Sequence, residues 1–321
     1  MSTAFTNGAV SLISILECPI LCNIGLNPNR INLQGDYFGK VMDAPISDVL
    51  SIEKIAVNDE EISGFIALAT INRPNKLNAL NSEVMEALKN FCAWAEANSQ
   101  IRCIVITGAK PLPPEEGKRA KPNAFVAGAD ISEFVDMDSK AAKIKFADNA
   151  VEAIWNLTKP SIAMIDGFAL GGGCEVACSC DIRIASTRSK FGTPEINLGL
   201  IPGYGATQRL SKLIGYGKSL ELILTGEMIS AEQAEKIGLV NQVCTNEELY
   251  DITMNMANII ASKSVFVTAA AKRTIRASLN HSLDEGVAIE ADEFANLFDS
   301  DDKIEGVNSF MARTKPKWHD S

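Results

Sequence analysis

Two glutamates twenty positions apart, Glu175 and Glu195, are the residues of this chain best suited to chemistry. Glu175 lies in "GGGCEVACSCD" (residues 171–181) and Glu195 in "FGTPEINLGLIPGYG" (residues 191–205). Each sits beside glycine- or proline-marked turns in mostly apolar sequence. Two carboxylates carried by separate elements into one pocket can hold a water between them. One accepts its proton while the other supplies a proton to carbon. This chemistry suits a chain with only two histidines, His281 and His319, because a Ser-His-Asp or Cys-His mechanism needs an imidazole. Each glutamate also has a purely local explanation. An acid in the first turn of a helix is favoured by the helix dipole. Thr193-Pro194-Glu195 reads as a cap, a proline at the first helical position and an acid.

The stretch around Glu175 admits three readings: a metal or redox cluster, a tight turn with bystanders, or part of an active site. "SIAMIDGFAL" before it supplies a strand and a turn. If a helix starts at the glycines, Gly172 and Gly173 present free N–H groups that can hold an anion or a developing oxyanion. In "NAFVAGADISEF", "FVAG" reads as a strand end, after which Gly128 and Ala129 either turn an N–H toward a ligand or form a plain strand-to-helix loop. Cys174 and Cys178 share a helix face with Cys180 just beyond. No CxxC pair occurs, so small packing residues are preferred to a metal site, and none is assigned. "GYGATQ" lacks the lysine of a phosphate-binding loop and the spacing of a dinucleotide fingerprint, and reads as a turn opening a helix.

The elements that must position these residues alternate. "IEKIAV" and "FIALATI" read as a hairpin, and "NSEVMEALKNFCAWAEAN" as a capped helix burying Val84, Leu88, Phe91, Cys92 and Ala95. "CIVITG", "SIAMIDG" and "CDIRIAS" are buried-type strands with helical material between them, so the fold class is α/β. Residues 109–123 hold four prolines and basic residues around Lys118, Arg119 and Lys121, and read as a loop. Capping boxes at Ser230/Gln233 and Ser282/Glu285 open later helices. Leu283, Val287, Phe294 and Phe298, then Ile304, Val307 and Met311, form apolar stripes that must pack on the core or on another subunit.

The chain has 321 residues, 46% hydrophobic, with a net charge of −10. That suits an ordinary globular protein and argues against nucleic acid as the main partner. The eight cysteines are not spaced as a disulfide framework, which points to a reducing compartment. The apolar segment 8–26 contains Glu17 and Pro19 and lacks a basic start, so neither a secretion signal nor a membrane span is expected. Residues 1–48 are expected to be an N-terminal extension of unassigned role.

From about Ile52 to Trp318 the sequence resembles the enoyl-CoA hydratase (crotonase) family. The resemblance rests on "INRPNKLNALN", "CIVITG", "AFVAGADISEF", "KPSIAMIDGFALGGGCEVACSCDIRIAS", "FGTPEINLGLIPGYGATQRLSKLIG", "LTGEMISAEQAEKIGLVNQV" and "FDSDDKIEGVNSFMARTKPKW", in that order. It implies a spiral of ββα units over residues 49–256, interrupted by the 109–123 loop. A C-terminal helical trimerisation region follows over 257–321. It further implies an acyl-CoA thioester substrate, coenzyme A entering only as part of it, and a homotrimer or dimer of trimers.

The family's oxyanion hole falls on the backbone N–H groups of Ala129 and Gly172, and its two catalytic glutamates on Glu175 and Glu195. The first helps activate water for attack at C3, and the second exchanges the proton at C2. Contacts to coenzyme A are implied for Lys76, Leu77, Ala127, Gly128, Asp130 and Ile131. Lys118, Arg119 or Lys121 of the loop is expected to assist with its phosphates. Both glutamates favour reversible hydration of a 2-enoyl-CoA. Isomerisation, thioester hydrolysis and a non-catalytic CoA- or RNA-binding role are the alternatives. The expected location is the cytoplasm, or the mitochondrial matrix in a eukaryote.

Overall fold

The chain builds two sheets at once by alternating between them. A computed structural model describes residues 43–114, 116–117 and 119–321, so most of the expected 1–48 extension lies outside the described residues. The first sheet has the order β1-β2-β3-β5-β7-β10: Leu50–Ala56, Phe65–Ile71, Ile101–Gly108, Ser161–Ile165, Ile182–Ser186 and Gln242–Cys244. The second has the order β4-β6-β8-β9: Ala124–Val126, Phe168–Leu170, Lys190–Gly192 and Ile229–Ser230. A long strand in the first sheet is followed by a short strand in the second and then by a helix, which is the spiral the resemblance implies.

The β1–β2 hairpin is antiparallel, with Ile52 opposite Ala69. From β2 onward the first sheet is parallel. A parallel sheet needs cover on both faces, which explains why its strands read as unbroken apolar runs. Ile104 and Ile106 of β3 and Ile165 of β5 share one core with helix α1 (Ser82–Ala97). Val105, Ile162 and Met164 point the other way, into a second core. There they meet Leu249, Ala257 and Ala261 of a later helix, Leu249–Ala261. Helix α1 forms as its pattern predicts: the Asn81 side chain accepts from the Val84 N–H, and Val84, Leu88, Phe91, Cys92 and Ala95 are buried.

Helices α2 (Ser139–Ala147) and α3 (Ala150–Trp155) follow β4, and α4 (Gly172–Ser179) follows β6. Next come α5 (Ala206–Thr225), α6 (Ala231–Lys236) and α7 (Leu249–Ala261). Both capping boxes are present. Residues 109–123 contain no helix or strand among those described. The boundary expected at 256/257 falls inside α7, whose buried face belongs to the spiral's second core.

Helices α8 (Val265–Ala277), α9 (Leu283–Asn296) and α10 (Asp301–Ala312) complete the chain. The tail folds back over them. Trp318 donates its indole N–H to Ser262 C=O at 2.9 Å, and Asp320 pairs with Arg102 of β3, which is 4% exposed. The apolar stripes of α9 and α10 are not buried within the chain: Val287, Phe294, Ile304, Val307 and Met311 are all at least half exposed.

Candidate active site

Strand β6 ends at Leu170, and the φ of +51° at Gly171 lets the chain turn at once into α4. The helix start lies hard against β4, because a Cβ on Gly173 would sit 1.9 Å from the Val126 carbonyl oxygen. Only glycine permits that approach. Glu175 falls in the first turn and is 1% exposed. One carboxylate oxygen, Oε1, accepts from the Tyr204 N–H at 2.7 Å and the Ala206 N–H at 3.0 Å. These amides come from the glycine-rich turn that opens α5. Burial pushes the Glu175 carboxyl up to about 7, and the nearby Glu195 adds to the rise. The two N–H groups and Arg209 oppose it.

Glu195 reaches the same place through sheet pairing. Strand β8 runs parallel to β6 with Gly192 beside Leu170, and the Gly171 N–H donates to Gly192 C=O at 2.9 Å. The next residues, Pro194–Leu198, form a short 3-10 helix that opens on Pro194 with Glu195 in its first turn, so the proline and the acid of Thr193-Pro194-Glu195 fall as expected. Thr193 does not cap it. Its backbone is at φ −128°, ψ 77°, and its hydroxyl is buried without a partner among the described residues. The tight turn sets the Glu195 carboxylate against α4: a Cβ on Gly171 would lie 2.8 Å from Glu195 Oε1. Burial raises the Glu195 carboxyl above its ordinary range, and its Oε2 has no hydrogen-bond partner among the described residues.

The two expected oxyanion donors are neighbours. Segment 77–80 zips to segment 127–130 through Ala127 N–H to Leu77 C=O (3.1 Å), Leu80 N–H to Gly128 C=O (2.9 Å) and Asp130 N–H to Leu80 C=O (2.7 Å). That ladder uses the groups on either side of Ala129, whose own N–H faces the other way and has no backbone partner among the described residues. Gly172 is the first residue of α4, where an N–H has no partner within the helix. A Cβ on Gly172 would lie 3.6 Å from the Ala129 nitrogen. Ala129, Gly172, Glu175 and Glu195 all line one cavity of about 500 Å³. Phe134, Met137, Phe146, Leu200, Ile201 and Tyr204 give it an apolar wall.

The remaining expected contacts flank this zipper. Lys76 is exposed, and Ile131 is 54% exposed. The Asp130 side chain is already occupied: it accepts from Ser132 at 2.7 Å and pairs with Arg73 at 3.0 Å, which hold it below the usual carboxylate range. Lys121 of the loop donates to Asn75 C=O at 2.6 Å, beside Lys76. Arg119 is exposed, and Lys118 lies outside the described residues.

Sequence reasoning missed Asn78, which is 1% exposed. Its amide donates to Ala109 and Ala124 carbonyls and accepts from the Arg73 N–H, tying the zipper to β3 and β4. Its φ of +56° lies in a region that asparagine tolerates better than most residues, but the sequence does not display φ, so no signal pointed to it. Cys174, Cys178 and Cys180 are buried in the core; contact with Cys178 and burial push the Cys174 thiol up, and burial holds Cys180 at about 12. Among the described residues no group of three or more His, Cys, Asp or Glu could hold a metal. No described helix is long and apolar enough to cross a membrane.

The profile of the enoyl-CoA hydratase/isomerase family matches residues 61–321. The short-chain-enoyl-CoA hydratase of Clostridium acetobutylicum is 39% identical over 257 residues, covering 79% of this chain and 94% of that protein. The crotonyl-CoA hydratase of Syntrophomonas wolfei is 35% identical over 268 residues, covering 83% and 98%. The crystal structure of enoyl-CoA hydratase from Bacillus anthracis superposes with a TM-score of 0.76 at 30% identity, covering 85% of this chain and all of that one. With the spiral of two sheets and the site it carries, these likenesses place the chain in the enoyl-CoA hydratase/isomerase family.

Proposed function

We propose that this protein is an enoyl-CoA hydratase, adding water reversibly and syn across the C2=C3 bond of a short-chain 2-enoyl-CoA to give 3-hydroxyacyl-CoA. The observation that carries the reading is the meeting of two carboxyl groups with two neighbouring free N–H groups in one mostly apolar cavity. The short chain length follows the activities named for the Clostridium and Syntrophomonas relatives.

In this mechanism the water oxygen bonds to C3 while one water proton passes to the Glu175 carboxylate. The C2=C3 electron pair moves toward the thioester, and the enolate-like oxygen is held by the Ala129 and Gly172 N–H groups. The Glu195 carboxyl then gives its proton to C2. The proton on Glu175 returns to Glu195, closing the cycle. The Tyr204 and Ala206 amides fix one Glu175 oxygen, leaving the other for water. Burial raises the Glu195 carboxyl, which favours the protonated form that the step at C2 needs.

Coenzyme A enters with the substrate, and both protons are carried by the protein, so no other cofactor is assigned. Lys76, Leu77, Ala127, Gly128, Asp130 and Ile131, with Arg119 and Lys121 nearby in sequence, are assigned to the coenzyme A moiety. The exposed stripes of α9 and α10 support a homotrimer or dimer of trimers, which sedimentation of the purified protein would test. Six free buried thiols among the described residues support a reducing compartment, the cytoplasm or the mitochondrial matrix.

The test of function is hydration of crotonyl-CoA, followed as loss of the enoyl-thioester absorbance. Glu175→Gln and Glu195→Gln should each slow it by on the order of 10²–10⁴. Wild-type rates in both variants would sink the assignment, and product analysis on several acyl-CoAs separates hydration from isomerisation or thioester hydrolysis.

A further inference from the structure

We propose that Arg209 is a positioning residue for Glu175, clamping the 204–206 turn from behind and holding a positive charge close to the carboxylate. The proposal rests on the reading of Glu175 as the acceptor of the water proton.

Arg209 lies in the first turn of α5 and is 9% exposed. Its Nη1 donates to Tyr204 C=O at 2.7 Å, and its Nη2 pairs with Glu152 of α3 at 2.5 Å. The guanidinium carbon lies over the Trp155 ring, 4.8 Å from the centroid. Tyr204 thus carries both halves of a relay: its N–H is on Glu175 Oε1 and its carbonyl is on Arg209. The turn is shaped for this cation. Gly205 has a φ of +101°, and a Cβ there would lie 2.4 Å from Arg209 Nη1. A residue with a side chain at 205 would drive the guanidinium off the carbonyl.

The charge matters because Glu175 is otherwise in a setting hostile to ionisation. Glu195 faces it from the 194–198 turn, Tyr204 from the turn before α5, and Cys174 and Cys178 from α4 itself. Burial and Glu195 favour its protonated form, whereas Arg209 favours the carboxylate that must accept a proton. Glu152 in turn shares the Arg209 charge, with a side chain 47% exposed to solvent.

A merely structural ion pair and a charge-setting arginine predict different pH behaviour. Arg209→Met and Glu152→Gln both delete the same ion pair. If Arg209 acts on Glu175, its loss raises the acid limb of the kcat/KM profile by about one pH unit. Loss of Glu152 lowers the limb instead, because it unmasks Arg209. In Arg209→Met we expect kcat to fall by about 10- to 100-fold, with KM for crotonyl-CoA changed far less. Arg209→Lys, which keeps the charge but not the fork, should restore the limb position and only part of kcat.

The same titrations are to be followed without turnover, through the Glu175 carboxyl stretch in infrared difference spectra, identified by its absence in Glu175→Gln. Shifts of the same sign in Arg209→Met and Glu152→Gln, or no shift in either, would overturn the proposal. Should Arg209→Met fail to fold, Glu152→Gln still decides: a lowered acid limb supports the proposal, and an unmoved or raised one overturns it. A wild-type protein without hydratase activity would count against the proposed reaction, whereas the infrared titration would still decide on Arg209.

Discussion

Glu175 stands on a regular helix and Glu195 on a tight 3-10 turn, and the two settings treat a carboxyl group differently. Glu175 is fully enclosed, with one oxygen fixed by two backbone N–H groups and a cation one residue behind them. Glu195 is partly exposed to the cavity, and its buried Oε2 lacks a partner among the described residues. Both carboxyls are raised by burial; the Tyr204 and Ala206 N–H groups and Arg209 support the Glu175 anion, whereas Glu195 has its own backbone N–H. This asymmetry lets two chemically identical side chains hold opposite protonation states in one pocket. A pair made equal would lose the division of labour.

The largest effects come from neutralising either member. Glu175→Gln and Glu195→Gln should each cost on the order of 10²–10⁴ in kcat, and the double variant little more than the worse single one, because the two act as a unit. Additive losses in the double variant would mean that the carboxyls work independently. Gly171→Ala attacks the asymmetry from the other side. The new methyl would meet Glu195 Oε1 at 2.8 Å, at a backbone φ of +51°. Glu195 must move while the donors to Glu175 stay in place. A fall of about 10- to 100-fold in kcat is expected for a displaced catalytic group, with thermal stability lower by about 1 kcal/mol for the strained backbone. Unchanged kcat in a folded Gly171→Ala protein would show that the position of Glu195 is not critical.

The contrast also marks where sequence reading stops. Helix α1, the hairpin and both capping boxes were legible because cap, period and partner lie within one short segment. Of the second sheet only the end of β4 was legible, as "FVAG"; "KFG" is too short to show any period, and it exists as a strand because β6 lies beside it. The two glutamates were legible as candidates, and their meeting depends on that largely unread sheet. Asn78 and Arg209 were not singled out, since each is defined by partners distant in the chain or by a turn whose shape is not in the letters. Thr193 misled for a related reason: the cap signal is local, whereas the β8 exit angle that defeats it is set by sheet pairing.

A smaller effect, in stability, has a sign that follows from the same comparison. The Glu175 carboxyl rises to about 7 on folding from an ordinary value of 4.5. The folded state therefore binds this proton more tightly than the unfolded chain does, and its stability falls as pH rises from 4.5 through 7. Above 7 the buried carboxylate costs on the order of 2–4 kcal/mol, which Glu175→Gln removes while keeping an acceptor for the Tyr204 and Ala206 amides. The inactive variant should melt higher than wild type at pH 8, and the gain should shrink through pH 6 and vanish below 4.5. Glu195→Gln should gain less, since that carboxyl is only partly enclosed. Equal melting temperatures for Glu175→Gln and wild type at pH 8 would show that the Glu175 site is wetter than its surroundings suggest.

The smallest expected effect separates the carboxyl pair from the oxyanion side of the cavity. Arg73 joins Asp130 at 3.0 Å and the Ala79 carbonyl at 2.6 Å, so it braces the zipper that aims the Ala129 N–H. Arg73→Met leaves both glutamates and their donors untouched. Because Arg73 and Asp130 are each about 15% exposed, the pair is partly screened, and its loss should cost no more than about 1–2 kcal/mol. If all of it is lost from transition-state stabilisation, kcat/KM falls by roughly 5- to 30-fold, with the pH profile unmoved. A shift of the profile in Arg73→Met would mean that the zipper and the carboxyl pair are electrostatically coupled. An unmoved profile with reduced kcat/KM would show that one cavity wall sets the charge and the other sets the aim.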